Sequence, residues 1–172
     1  KAEWPEADFV VGNPPFIGNK RMRTLLGDGY VDALRGAWKD VPDTVDFVMY
    51  WWHEAAEQAA RGLLELFGFI TTNSLRQSQN RQVIARHLGA KAPISLGFVI
   101  PDHPWIDSAD GADVRVALTS GRCGNAVGQL VEVTAERPLD DGEIGVVLDA
   151  RVGLIHPDLR VGANVAAAAP LK

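Results

Sequence analysis

Short apolar runs and longer amphipathic runs alternate along the first two thirds of the chain. Four short runs predict strands, because they are rich in β-branched or aromatic residues and end at glycine, proline or small polar residues. They are ADFVVGN (7–13), LFGFITTNSL (66–75), PISLGFVI (93–100) and DVRVALTSG (113–121). Between the last two, PDHPWIDSADGA (101–112) predicts a loop, and we interpret the acidic cluster there as solvated; its members are Asp102, Asp107, Asp110 and Asp113.

Helical periodicity appears between these runs. The segment VPDTVDFVMYWWHEAAEQAARG carries apolar residues at helical spacing and is the clearest helix in the sequence. Pro42 with Asp43 or Thr44 predicts its start. Asp46 falls in the predicted first turn, where the helix dipole favours a negative charge, and Gly62 predicts the end. The run YVDALRGAW predicts a short helix or a loop with one helical turn, and RQSQNRQVIARHLG predicts a longer helix.

This alternation predicts an α/β fold, with a mostly parallel sheet and helices on both faces. After Gly121 the pattern changes to short alternating runs broken by glycine, proline and aspartate. Such a pattern indicates a β-rich extension or the start of another module. We therefore expect residues 1–121 to form one unit and residues 122–172 to form the extension.

Composition narrows the class of protein. The chain has 172 residues, of which 47% are hydrophobic and 23% charged, and this suits one globular domain with a core. No stretch approaches the roughly 18 consecutive apolar residues of a membrane span, so no membrane partner is expected. The only cysteine is Cys123, which excludes an intrachain disulfide and fits a reducing, cytoplasmic setting.

The formal net charge of -5 excludes a chain that is basic throughout. Two local basic clusters remain, and they consist of Lys20, Arg21 and Arg23, and of Arg76, Arg81, Arg86 and Lys91. A solvated surface is the more common role of such clusters, and we interpret them first in that way.

The segment GNPPF (12–16) follows the first predicted strand directly, at the position where open parallel sheets bind their ligands. Asn13 offers an amide oxygen as a hydrogen-bond acceptor. Pro14 and Pro15 hold the turn stiff and, since proline has no N–H, leave the Pro14 carbonyl free to accept. Two acceptors on a rigid turn can bind both hydrogens of one –NH₂ group, while Phe16 can stack on a planar ring.

This arrangement suits the methylation of an exocyclic amino group. The lone pair of adenine N6 is delocalised into the ring, so this nitrogen is a poor nucleophile. Accepting both of its hydrogens favours a tetrahedral nitrogen, and these contacts strengthen as positive charge develops there. A base inside a duplex must first be flipped out to reach such a turn.

The motif DFVVGNPPF resembles the catalytic motif of the amino-group DNA methyltransferases, which use S-adenosylmethionine. The segments GNKRMR, DFVMYWW, GFITTNSLRQ, IPDHPW and DGADVRVALT are similar to the large fused restriction–modification methyltransferases of the MmeI-like group. The resemblance covers most of residues 5–121. It implies a class I, Rossmann-like methyltransferase fold, present from the catalytic motif onward. It also implies methylation of adenine N6 in DNA, for restriction–modification or phage defence.

The resemblance implies roles for the residues of the motif itself. Asn13, Pro14 and Phe16 would hold and stack the target adenine, and Pro15 would shape the turn. S-adenosylmethionine would be the cofactor. DNA and the remainder of a larger polypeptide would be the partners, since both ends of the sequence suggest a piece of a longer protein.

Further residues follow from the resemblance as substrate contacts. Trp105 is the candidate for a second aromatic contact with the flipped base, and Asn73 is placed at the border of the pocket. Apart from the resemblance, Lys20, Arg21 and Arg23 follow the motif directly and are candidates for phosphate contacts near that base.

Alternatives stay open at this stage. Protein-glutamine methyltransferases carry a similar motif, so the acceptor can also be a protein amide or RNA. A non-catalytic fragment that binds DNA or a partner is the other alternative, because the family's Gly-rich cofactor loop has no counterpart before Asn13. No metal site is expected. In HEAAE (53–57), Glu57 stands where a zinc helix has its second histidine, and the histidines are scattered along the sequence.

Overall fold

A computed structural model describes residues 3–106, 113–138 and 144–162 of the chain. Its described part contains one six-stranded sheet, in the spatial order β1-β2-β4-β3-β5-β6. The strands are β1 Phe9–Gly12, β2 Leu66–Thr72, β3 Ile94–Ile106, β4 Asp113–Cys123, β5 Gly128–Pro138 and β6 Ile144–Gly153. The helices are α1 Asn19–Leu26, α2 Asp28–Ala37, α3 Val48–Ala60 and α4 Ser78–Leu88, and a 3₁₀ turn spans Asn73–Arg76.

The sheet is mixed. Strands β1, β2, β3 and β5 run in one direction, and β4 and β6 run in the other. The predicted α/β class is confirmed, but the expectation of mostly parallel pairing is wrong, since only β1–β2 and β3–β5 pair in parallel. Strand β4 inserts between β2 and β3, antiparallel to both. An apolar run predicts a strand without indicating the direction in which it runs.

Helix α3 begins later than predicted. It starts at Val48, after turns over residues 42–47, so Asp46 lies before the helix instead of in its first turn. The reason is that Asp46 bonds to three other segments of the chain, as described below. The predicted end is confirmed, because Gly62 follows the helix with a φ of 71°, a conformation that glycine adopts without strain.

Helix α1 was not predicted from the pattern. Only Met22 of its eight residues is buried, so a single apolar contact replaces the usual apolar stripe. Gly27, with a φ of 82°, separates α1 from α2. Helix α2 buries Val31 and confirms the short helix predicted over this segment.

The core lies between α3 and the sheet. Trp52 is fully buried, with its ring 5.3 Å from that of Phe67 in an edge-on contact. Its indole N–H donates to Thr119 Oγ1 at 3.3 Å. The neighbouring Trp51 is only partly buried, because adjacent helical residues point about 100° apart.

The second half of the sheet joins the first through β3. Strand β3 continues to Ile106, so residues 101–106 are strand and not the predicted loop. Strand β5 pairs with β3 at Phe98 and Val99, and the predicted β-rich extension is thus part of the same sheet. Gly128 allows this approach, because a Cβ there would lie 2.1 Å from the Leu96 carbonyl oxygen.

Candidate functional site

Three of the predicted site residues lie at or near the carboxyl ends of strands that run in the same direction. Asn13 follows β1, Asn73 follows β2, and Trp105 lies near the end of β3. The carboxyl ends of these strands therefore meet at one edge of the sheet, which is where open α/β sheets bind ligands.

The strands extend to different positions at this edge, as the pairing register shows. Gly12 pairs with Phe69, which is level with Thr119 of β4. Trp105 is level with Val114 of β4. Along β4, Thr119 and Val114 are five residues apart, and β1 and β3 are separated by three strand spacings across the sheet. Together these displacements place Trp105 roughly 22 Å from Gly12. Trp105, 41% exposed, shares the edge with the motif without being its neighbour, and its contact with a target base stays a prediction.

The motif forms an exposed turn on a buried proline. Pro14 is buried, whereas Asn13, Pro15 and Phe16 are exposed. The Pro15 carbonyl accepts a hydrogen bond from the Ile17 N–H at 2.9 Å, which closes the turn. Within residues 3–106, 113–138 and 144–162, no hydrogen bond reaches the Asn13 side chain or the Pro14 carbonyl. The turn thus carries two acceptors that no described residue occupies.

Backbone bonds hold the turn to the rest of the fold. The Phe47 N–H, at the start of α3, donates to the Ile17 carbonyl at 2.9 Å. The Asn19 N–H, at the start of α1, donates to Asp46 Oδ1 at 2.9 Å. Gly18, the N-cap of α1, has no side chain to cap the helix, so Asp46 satisfies this donor from a distant segment.

Asp46 joins four segments around the turn. Its Oδ2 atom accepts from Ser74 Oγ and from Asn80 Nδ2, each at 2.7 Å. Its own N–H donates to Asn80 Oδ1 at 2.9 Å. Asp46 therefore connects the start of α1 to the 3₁₀ turn after β2 and to α4. Asn80 was missed from sequence, although its spacing from Val83 and His87 places a polar residue on the buried face of α4.

Asn73 lies next to an ion pair instead of facing free solvent. Its Nδ2 donates to Asp102 Oδ1 at 3.2 Å, and Arg115 Nε donates to the same oxygen at 2.7 Å. Arg115 also donates to Glu136 Oε1 at 2.9 Å, and these two hydrogen bonds raise the pKa of Arg115. The prediction of a solvated acidic loop is therefore wrong for Asp102. Its other members, Asp107, Asp110 and the side chain of Asp113, lie outside the described residues.

The first basic cluster divides into two parts. Lys20 and Arg21 are exposed on the first turn of α1, directly after the motif. Arg23 is instead paired with Asp28 and Asp32, each at 2.8 Å. Lys20 and Arg21 remain candidates for phosphate contacts, whereas Arg23 is held by carboxylates.

A shallow groove of about 420 Å³ runs from Asn13 across the sheet, over Gly68 and Leu118, to Phe98. Helix α3 covers the opposite face of the sheet at Phe67. Strand β1 is the edge strand of the described sheet. No Gly-rich turn between a strand and a helix precedes it among the described residues. The residues present thus fit no complete pocket for S-adenosylmethionine, and none of them is assigned to that cofactor.

Two of the histidines that are scattered in sequence meet in the fold. His53 Nδ1 of α3 lies 2.9 Å from His87 Nε2 of α4, and both rings are buried. Burial, then the nearby His53 and Arg86, lower the pKa of His87 to about 4. Glu57 lies 3.7 Å from His87 Nδ1, but at neutral pH the imidazole carries no charge for it to pair with. We interpret the histidines as a hydrogen-bonded pair that joins α3 to α4.

The same cluster bears on the metal prediction. His53, Glu57 and His87 each place one possible ligand atom within 4.8 Å of the others. Histidine and carboxylate atoms are ordinary ligands of zinc. The expectation that the chain holds no metal therefore stays a prediction.

No helix among the described residues has the length and apolar character needed to cross a membrane.

Comparison with known proteins adds evidence that is independent of this geometry. No curated protein matches the chain. A solved structure of the Type IIL restriction–modification enzyme MmeI in complex with DNA matches with a TM-score of 0.66 at 23% sequence identity. The match covers 91% of this chain and 20% of that chain, and at this identity it shows a common fold.

The family comparison is more specific. The family described as MmeI, DNA-methyltransferase domain, matches residues 2–127, which is more than half of the chain and includes the GNPPF turn. The mixed α/β sheet agrees with the fold of the solved MmeI structure. The chain belongs to the MmeI DNA-methyltransferase domain family.

Proposed function

We propose that this chain carries the target-base site of a DNA methyltransferase that acts on adenine N6 within a restriction–modification or phage-defence enzyme. Family membership supports methyl transfer to DNA. The solved MmeI structure is a complex with DNA, which supports DNA as the partner. Because the chain spans 20% of that structure's chain, the remainder of a larger polypeptide is part of the proposal.

The observation that carries the proposal is the pair of free acceptors on the GNPPF turn. The Asn13 amide oxygen and the Pro14 carbonyl have no partner among the described residues, while the Pro15 carbonyl is already bonded to the Ile17 N–H. An adenine amino group has two hydrogens, and each acceptor can bind one of them.

These residues act on the nucleophile. Binding both hydrogens of N6 localises the nitrogen lone pair, and the bonds strengthen as the nitrogen becomes positive in the transition state. S-adenosylmethionine would supply an electrophilic methyl group when bound. No general base is required beside Asn13, because the proton is acidic once the nitrogen has been alkylated.

The exposed aromatic side chain of Phe16 can stack on the face of the flipped base. Trp105 is proposed as a more distant aromatic contact at the same edge of the sheet. Lys20 and Arg21 are proposed to contact phosphates beside the flipped nucleotide, because they follow the turn directly and are exposed. Asn73 is proposed as a border residue of the site.

The division of the chain is also a proposal. Residues 1–121 would contain the catalytic part and residues 122–172 the β-rich extension. The family match ends at residue 127, close to this boundary. The extension shares the sheet with the catalytic part, so we do not expect it to fold independently.

The test compares methyl transfer to duplex DNA by the protein as its gene encodes it and by its Asn13→Ala variant. Loss of one preorganised transition-state contact typically lowers the rate by roughly 100-fold or more. The matched control is Asn125→Ala, which removes an exposed asparagine after β4, at the opposite edge of the sheet. Equal transfer by wild type and Asn13→Ala would contradict the proposal.

The remaining alternatives are separated by the acceptor. Labelled methyl on a protein or on RNA, and never on DNA, would favour the other amino methyltransferases that share the motif. DNA binding without transfer to any acceptor would favour a non-catalytic role.

A further inference from the structure

A second groove lies beside the candidate site and is lined by polar and charged side chains. Its volume is about 370 Å³. We call it the arginine groove, and its lining residues are Asn73, Arg76, Gln77, Arg81, Asp158 and Arg160. The arginines come from three places: the 3₁₀ turn after β2, the first turn of α4, and the segment that follows β6. The fold thus collects positive charge from residues up to 84 positions apart in the sequence.

The arginines of the groove differ from most others in their partners. Among the described residues, no side-chain hydrogen bond or ion pair involves Arg76, Arg81 or Arg160. Five other arginines are each paired with a carboxylate, and they are Arg23, Arg35, Arg86, Arg115 and Arg151. Three guanidinium groups against the one lining carboxylate, Asp158, leave an excess of positive charge in the groove.

The backbone at the start of α4 adds to this field. Gln77, the N-cap of α4, makes no capping bond with its side chain, and the first turn holds no acidic residue. Free N–H groups at a helix start attract an anion, as the guanidinium groups do. This contribution is secondary, since the unpaired arginines are the stronger feature.

We propose that the arginine groove binds the phosphate backbone of DNA beside the target-base site. Guanidinium groups bind phosphate oxygens in a bidentate manner and are the preferred side chains for this purpose. Asn73 lines the groove and also follows β2 at the edge that carries the GNPPF turn, so the groove opens at the same edge of the sheet as the candidate site. The inference takes DNA as the partner from the proposed function, but it requires no methyl transfer.

This assignment changes the interpretation of the second basic cluster. Its four residues were expected to form a solvated surface. Arg86 is instead paired with Asp40 at 3.2 Å, so the cluster does not act as a whole. Arg76 and Arg81 turn to the groove, where Arg160 joins them from the β-rich extension. The extension therefore contributes directly to the DNA-binding surface.

The test measures binding of a fluorescently labelled DNA duplex by anisotropy at several salt concentrations. One variant combines Arg76→Gln, Arg81→Gln and Arg160→Gln. Its matched control combines Arg61→Gln, Arg122→Gln and Arg137→Gln, three exposed arginines outside the groove, so both variants lose the same charge.

We expect the groove variant to bind at least about 10-fold more weakly, and the slope of log K against log salt to fall by about one for each lost phosphate contact. The control should stay within about 3-fold of wild type. Equal loss of DNA affinity in both variants would show that only total charge matters, and it would overturn the inference. So would wild-type affinity in the groove variant, or tighter binding of an RNA duplex than of DNA.

A single substitution separates a loss of DNA binding from a loss of folding. Arg160 is exposed and makes no side-chain bond among the described residues, so Arg160→Gln should leave the thermal midpoint unchanged and still weaken DNA binding. Unchanged binding by this variant would contradict the role of the extension. The outcome is separable from the proposed function, because methyl transfer that depends on Asn13 can persist even if the groove binds no DNA.

Discussion

Asp46→Asn tests whether a single carboxylate fixes the surroundings of the GNPPF turn. The change keeps the shape of the side chain but replaces one acceptor oxygen with a donor –NH₂ group. In the native fold, Oδ1 accepts from the Asn19 N–H, and Oδ2 accepts from Ser74 Oγ and Asn80 Nδ2. If the new amide oxygen stays on Asn19, its –NH₂ group faces the –NH₂ group of Asn80, and neither can accept.

The magnitude follows from these contacts. A hydrogen bond to a charged group contributes about 1.5–3 kcal/mol, and a buried donor left unsatisfied costs about 1–3 kcal/mol. The Ser74 hydroxyl can rotate and accept from the new amide, which recovers part of the loss. We therefore expect a destabilisation of about 3 kcal/mol. For a chain of this size, that corresponds to a fall of roughly 6–12 °C in the thermal midpoint.

The assay is thermal unfolding followed by calorimetry at neutral pH. The matched control is Asp32→Asn, which removes an exposed carboxylate that pairs with Arg23 at 2.8 Å. Exposed ion pairs contribute little, so the control midpoint should stay within about 2 °C of wild type. Equal shifts in the two variants would refute the reasoning, because the network around Asp46 would then be no stronger than a surface ion pair.

The pKa of His87 is lowered to about 4 in the folded protein, from an ordinary value of 6.5. Between these values the unfolded chain binds more protons than the folded protein, so stability should fall as the pH drops through that window. The loss is at most about 3 kcal/mol; urea unfolding at pH 7 and pH 4.5 should show a smaller loss in His87→Gln, and parallel profiles would contradict this. Gly128→Ala should lower the thermal midpoint by several degrees or prevent folding, because its Cβ would lie 2.1 Å from the Leu96 carbonyl oxygen. Gly36→Ala, in α2 with no atom within 4 Å of the new Cβ, should instead stabilise the protein by about 0.5–1 kcal/mol, and a fall in the same calorimetric midpoint would contradict that expectation.

The strands of the first half were predictable because each is a short apolar run with a clear end. β2 and β4 are found close to their predicted positions. Strand direction was not predictable, since β4 depends on a tertiary choice to insert between β2 and β3. Helix α1 was missed because it buries Met22 alone and obtains its cap from Asp46, 27 residues after Asn19.

The candidate site shows the same limit. Asn13 and its neighbours were identified from sequence because the motif is one contiguous segment, GNPPF at 12–16. The contacts of Asp46 with Ser74 and Asn80 span 28 and 34 residues, and no local pattern indicates them. Arg160 joins Arg76 and Arg81 only because the sheet brings the extension back beside α4. Local chemistry was therefore predictable, while its tertiary support was not.

The most direct test of the central claim identifies the methylated product. The protein as its gene encodes it is incubated with duplex DNA and isotopically labelled S-adenosylmethionine, and the DNA is digested to nucleosides for mass spectrometry. The account predicts labelled N6-methyl-2′-deoxyadenosine from wild type and its near absence from Asn13→Ala. Label found only on N4 of cytosine, or only on protein, would contradict the assignment of the GNPPF turn to adenine N6.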